Sequence, residues 1–204
     1  QPIAETVGPV AVLTPELYRL ARAVADRAGG SAGDILRLAI PPRMVRAEKQ
    51  HLARRGSAEP AQEEGNALSA EDHALAELLT SGGRVAIAAS HGPERLSTGE
   101  WVGGWAIRLA RAALAVHHSG HSAIVVAPDY RDIDQIRDAL ESLGHAAAVR
   151  VDSRQSGSER YAGFLRALDP EPRIILGNRS AVYAPAHRLG AVLMWDDGDP
   201  VLAE

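Results

Sequence analysis

The chain has 204 residues, no cysteine and a net charge of −4. A disulfide framework and a cysteine zinc site are thereby excluded, while the length is enough for one domain of ordinary size or a domain plus a small one. No apolar run reaches the roughly 18–20 residues of a membrane span and no secretory leader is visible, so the sequence reads as cytoplasmic.

Charge is unevenly spread. Residues 1–55 hold nine basic residues against five acidic ones, a net of +4, which leaves −8 for the remainder. Lys49 is the only lysine. Thr14-Pro15 opens a helix, with threonine as N-cap and proline in the first turn. Leu17, Leu20, Ala21 and Val24 share one face of it, and Gly29-Gly30 ends it. Ser31 with Asp34 fits a capping box for a short second helix that stops at Pro41-Pro42. Residues 43–68 are polar and alanine-rich, with Gly56, Pro60 and Gly65, and read as a linker. Ser69 then caps a helix that runs to about Thr80.

From there strand and helix alternate. Strands are expected near 85–89, 123–127, 147–151, 173–177 and 191–195, with helices near 100–116, 131–143 and 158–168 between them. Aliphatic strands in such alternation predict an α/β fold with one parallel sheet and helices on both faces. Ligands of such sheets sit at the carboxyl ends of the strands. Gly177 to Ser180 and Asp196 to Asp199 would therefore share one functional rim.

Two features invite assignment and receive a plainer one. His117, His118 and His121 have no acid or cysteine beside them and suit a helix C-terminus through its dipole, so no metal site is read there. Trp101 and Trp105, four apart on the expected helix, read as a pair packed into the core.

The loop after the first expected strand, Ser90 to Gly99, stands where a nucleotide-binding protein would place its phosphate loop. Gly92 and Gly99 are present, but the loop holds no lysine and Pro93 removes an amide donor. Arg95 offers charge, not the compact ammonium of lysine.

The stretch Ile174 to Asp199 carries a resemblance. Gly177-Asn178-Arg179-Ser180-Ala181, Tyr183, Pro185, Leu189-Gly190 and Trp195-Asp196-Asp197-Gly198 resemble the first helicase lobe of the PriA family of bacterial replication-restart proteins. That family has G-T-R-S-A, an aromatic, a proline, L-G and an apolar strand ending in D-E-E-H. Trp195 stands where the family holds magnesium, and Asp196 where it holds the catalytic glutamate. The W-D-D-G-D form resembles the actinobacterial branch, whose members look like helicases without an ATPase site. Ala127-Pro128-Asp129 resembles a further element of the lobe. Residues 14–42 resemble the end of the family's N-terminal DNA-binding domain.

The resemblance implies a helical remnant of that domain over 1–42, a linker over 43–68, and a helicase-like lobe over 69–204. It implies no winged-helix domain, and zinc-binding cysteines only beyond Glu204. Gly92, Arg95, Gly99, Trp195, Asp196 and Asp197 become degenerate nucleotide and magnesium positions, so neither ATP hydrolysis nor a resident metal or other cofactor is expected. Forked or branched DNA and other primosome proteins become the expected partners, with a nucleoid-associated location and no membrane. Arg37, Arg43 and Arg46 are the expected main DNA contacts, with Asn178, Arg179 and Ser180 on the rim. Arg179 has the alternative of pairing with Asp196 or Asp197. Asp152-Ser153-Arg154 and Ser158-Glu159-Arg160 also match the family, but read first as a helix cap and surface charges. Two rival functions stay open: a working helicase with an unorthodox loop, and a protein-interaction scaffold that does not bind DNA.

Overall fold

The computed structural model describes residues 8–55, 68–89 and 92–202. Three helices come first: α1 (Pro15–Ala28), α2 (Ala32–Ala39) and α3 (Val45–Arg55). Their ends follow the local chemistry. The Thr14 hydroxyl accepts from the Leu17 amide, and Gly29 closes α1 at φ 66, a left-handed conformation that suits glycine. Ser31 caps α2 through the Asp34 amide.

The chain then forms α4 (Ala70–Thr80), β1 (Pro93–Arg95), β2 (Trp101–Gly103), α5 (Gly104–His118), β3 (Ser122–Val126), α6 (Tyr130–Ser142) and β4 (Val149–Val151). It continues with α7 (Gly157–Ala167), β5 (Ile174–Gly177), a 3₁₀ turn (Arg179–Tyr183) and β6 (Leu189–Met194). Strands β3 to β6 make one parallel sheet in the order β4-β5-β3-β6. All five residues of β3 are buried, as an inner strand covered on both faces requires.

Alternate side chains divide between the two faces. Ala123, Val125, Ile174, Leu176, Ala191 and Leu193 pack with residues of α5 and α6. Ile124, Val126, Val149 and Ile175 pack with Ala167 of α7 and Ala181 of the 3₁₀ turn. Each buried Val, Leu or Ile among them contributes roughly 1.5–3 kcal/mol by leaving water. The expected architecture, a parallel sheet with helices on both faces, is therefore present.

Three local expectations are corrected. Residues 85–89 form no strand; Val85 and Ile87 are 44% and 49% exposed. A short apolar run becomes a strand only against a partner, and this one has none among the described residues. Strand β6 is correspondingly an edge, with Val192 and Met194 exposed on the face opposite Ala191 and Leu193.

Residues 93–103 form a β-hairpin instead of a phosphate loop running into a helix. Its register pairs Glu94 with Val102 and Arg95 with Trp101. Buried Leu96 and Val102 anchor it, and Ser97 meets Ser142 of α6 at 2.7 Å. The helix consequently starts at Gly104, so Trp101 and Trp105 do not share a helical face; Trp101 is 66% exposed.

The expected linker also opens on structure. Its first part is α3, which sets Ala47 against Tyr161 and Leu165 of α7, so burial outweighs polar composition there. Residues 56–67 of that stretch lie outside the described residues.

Candidate functional site

The carboxyl ends of β3, β4, β5 and β6 share one rim, as parallel order demands. Asn178 ties three of its loops together. Its side-chain amide donates to the carbonyls of Ala127 and Pro128, at 3.3 and 3.0 Å. Its carbonyl oxygen accepts from the Ser153 amide at 3.4 Å. The side chain is thus engaged by backbone rather than turned toward a ligand. Gly177 beside it has no room for a side chain, since a Cβ would collide with the Val151 carbonyl oxygen. Arg179 and Ser180 are exposed, and Arg179 donates to the Val201 carbonyl at 3.5 Å.

At the β6 end of the rim, the Trp195 indole lies on Trp105 of α5, with ring centroids 4.0 Å apart and planes 7° from parallel. The Trp195 amide donates to the Val126 carbonyl at 2.9 Å, which fixes the indole at the strand end. An indole has no oxygen to offer magnesium, a cation that takes oxygen ligands. Asp196 and Asp197 follow, both exposed, with Asp196 at φ 48. Nearby Asp132 has its carboxyl pushed above the ordinary range, first by burial and then by the charges of Asp129, Asp196 and Asp199. This end of the rim is therefore acidic.

Gly92, Arg95 and Gly99 belong to the hairpin. Gly92 accepts from the Gly104 amide at 2.8 Å, and Gly99 forms the turn at φ 104. Arg95 is exposed and donates to the Gly99 carbonyl at 3.4 Å. A backbone consumed in hairpin pairing does not curl its amides around a phosphate.

The three N-terminal arginines are all exposed but differ in their partners. Arg37 pairs with Asp34 at 3.0 Å and stays largely exposed. Arg46 is exposed. Arg43 is exposed too, with its guanidinium on the buried Glu48 at 2.9 and 2.7 Å, and Tyr161 donates to the same carboxylate at 2.9 Å. Glu48 is 3% exposed. Its carboxyl is held below the ordinary range chiefly by Arg43, against the opposing effect of burial. Glu48 of α3, held by Arg43 and by Tyr161 of α7, thus ties the two helices together.

The structure also gathers residues that the sequence reading did not single out as a site. The Arg154 guanidinium lies 4.0 Å from the Tyr130 ring centroid and that of Arg131 lies 5.4 Å from it. No local spacing announces this, because Tyr130 follows β3 and Arg154 follows β4. Among the three clustered histidines, His117 meets the Pro172 carbonyl at 3.2 Å and His121 contacts Ser119. Among the described residues no group of three acids or histidines is placed to hold a metal, and no helix is long and apolar enough to cross a membrane.

No protein-family model matches the chain. Individual proteins do. The probable replication restart protein PriA of Mycobacterium tuberculosis is 36% identical over 202 residues, covering 97% of this chain and 30% of that protein. Its counterpart in Mycobacterium leprae is 33% identical over 196 residues, covering 95% and 29%. The replication restart protein PriA of Treponema pallidum is 36% identical over 90 residues, 44% of this chain and 14% of that protein. The resemblance seen at the rim therefore extends along nearly the whole sequence: the chain is similar to these PriA proteins over 95–97% of its length and spans about 30% of the length of the mycobacterial relatives it matches.

Proposed function

We propose that the chain serves replication restart as a DNA-binding unit with a helicase-like lobe that does not hydrolyse ATP. Forked or branched DNA and other primosome proteins are its partners in this reading. The observation that carries it is the Trp105–Trp195 stack at the end of β6. Phosphoryl transfer needs a metal-holding acid there and a lysine-bearing loop to cradle the phosphates. An indole occupies the first position and a lysine-free hairpin the second. Either change alone is tolerable variation. Together, on separate elements, they support loss of turnover.

DNA contact is supported by exposed arginines without the chemistry of hydrolysis beside them. Arg37 and Arg46 lie on the N-terminal helices, and Arg131, Arg154 and Arg179 lie on the rim. The test is a titration of fluorescent forked DNA at several salt concentrations. A binder that neutralises phosphates gives a log–log salt slope of about −0.9 per phosphate on duplex and −0.7 on single strand. A flat line at background, even at low salt, would refute the reading.

A further inference from the structure

At the end of the sheet opposite the carboxyl rim, the last turns of α3 and α7 meet the loop that leads into β5. Ala47 of α3 packs on Tyr161 and Leu165 of α7. His51 and Arg54 follow one and two turns later on the same face of α3, which carries them toward the end of α7. His51 is buried and lies 3.4 Å from Asp169. Arg173, just before β5, bonds the same carboxylate at 3.2 Å and the exposed Glu171 at 3.1 Å. Arg166 stands in the last turn of α7, three residues before Asp169.

Arg166 is the member that the protein leaves unanswered. It is half-buried, its Nε is closed off from solvent with no hydrogen-bond acceptor, and it makes no ion pair among the described residues. The Nε of Arg173 is enclosed in the same way. Burial, then the charges of Arg173 and Arg54, hold the Arg166 guanidinium below its ordinary range, with Asp169 opposing them. A cation taken this far from water is normally paired. Here most of the charge around it has its own sign.

The acids within reach are already engaged. Asp169 is shared by His51 and Arg173, and Glu171 is bonded by Arg173. Glu48, one turn before His51, is held by Arg43 and Tyr161. Arg54, Arg166 and Arg173 thus meet Asp169 and Glu171 with positive charge in excess, before His51 is counted. A single carboxylate suits the fork of one guanidinium. Several guanidinium groups gathered at one place suit the larger oxygen set of a phosphate group.

We propose that Arg166 and Arg173, with the exposed Arg54 beside them, bind a phosphate group at the amino end of the sheet. The site lies at the other end of the strands from the rim, and it stands or falls separately from the DNA reading above. Two sources share this chemistry: inorganic phosphate and the terminal phosphate of a nucleic-acid strand.

The experiment follows thermal unfolding of the 204-residue chain in inorganic phosphate and in sodium chloride of matched ionic strength. Phosphate at about ten times its dissociation constant should raise the melting temperature by about 3–6 °C relative to chloride. Arg166→Met keeps the stem and removes the charge. It should melt no lower than the parent in chloride, because a half-buried cation without a partner is costly, and it should lose the phosphate shift. Arg54→Ala, a change at an exposed position, should keep the fold and weaken phosphate binding roughly tenfold by phosphorus NMR titration. An oligonucleotide with and without a terminal phosphate separates the two sources. Tighter binding of the phosphorylated strand, lost in Arg166→Met, assigns the strand end; equal binding of both strands beside a phosphate shift assigns free phosphate. No phosphate shift in the parent, or one that survives Arg54→Ala undiminished, would overturn the site. Arg166→Met melting well below the parent in chloride would show a structural arginine and overturn it too.

Discussion

Tyr161→Phe isolates the contact that ties α3 to the body of the lobe. The ring is 1% exposed and stays in place when the hydroxyl is removed. What is lost is one hydrogen bond of 2.9 Å to the Glu48 carboxylate, which keeps both of its bonds to Arg43. A hydrogen bond to a charged acceptor is worth about 1.5–3 kcal/mol. In a chain of this size each kcal/mol moves the melting temperature by roughly 2–4 °C, so a fall of about 3–12 °C is expected by near-ultraviolet circular dichroism. The pH dependence has a definite sign. The Glu48 carboxyl is depressed below its ordinary 4.5 in the folded chain. Its contribution is therefore whole above about pH 4.5 and drains away as pH falls through the lower folded value. Burial, with Glu48 next, pushes the Tyr161 hydroxyl up to about 12, so its share is present below pH 10 and is lost as pH rises toward 12. Glu48→Gln should flatten the acid limb of the stability profile. A Tyr161→Phe protein that melts with the parent, or an acid limb unchanged by Glu48→Gln, would refute the claim that this triad holds α3 down.

Gly177→Ala should cost about 1–3 kcal/mol in urea unfolding, because its new methyl meets the Val151 carbonyl oxygen; an unchanged midpoint would mean the ends of β4 and β5 have slack. A double-mutant cycle on Trp105→Ala and Trp195→Ala should give a coupling of about 0.5–1.5 kcal/mol, and zero coupling would deny that the stack holds in solution. In hydrogen exchange, the amides of residues 85–89 should exchange far faster than those of β3, which are held in a buried ladder; equal protection would show that the segment has found a partner strand.

Much of this fold is legible in the sequence because its signals are local or periodic. The aliphatic run around Ile124 and that around Ile175 each announce a buried strand, and Ser31 and Ser69 announce helix starts. What escapes is what depends on a partner distant in sequence. Residues 85–89 read as apolar as any strand here, yet strand formation needs a neighbour, and the edge of β6 does not pair with them. Arg43 and Arg46 look alike on paper; only the fold shows that Arg43 is engaged by a buried Glu48, which Tyr161, 113 positions from it, also bonds. Asn178 looks like a ligand contact because of the motif around it, whereas the loops after β3 and β4 consume its hydrogen bonds. The same long-range closure brings Arg154 onto Tyr130, a pairing that no window of sequence contains. The helix expected from residue 100 fails for a local reason that was present but ambiguous: Leu96 to Gly99 suits a hairpin turn as well as a helix entry.

The central claim is that a helicase-like lobe has kept its fold while losing phosphoryl transfer. Steady-state ATP hydrolysis by the full-length polypeptide, with magnesium and saturating forked DNA, tests it most directly. The account predicts turnover indistinguishable from the no-enzyme background, with or without DNA. Turnover that DNA stimulates and that Asp196→Asn abolishes would contradict it, and would mean that the acids after Trp195 do the work the indole was thought to prevent.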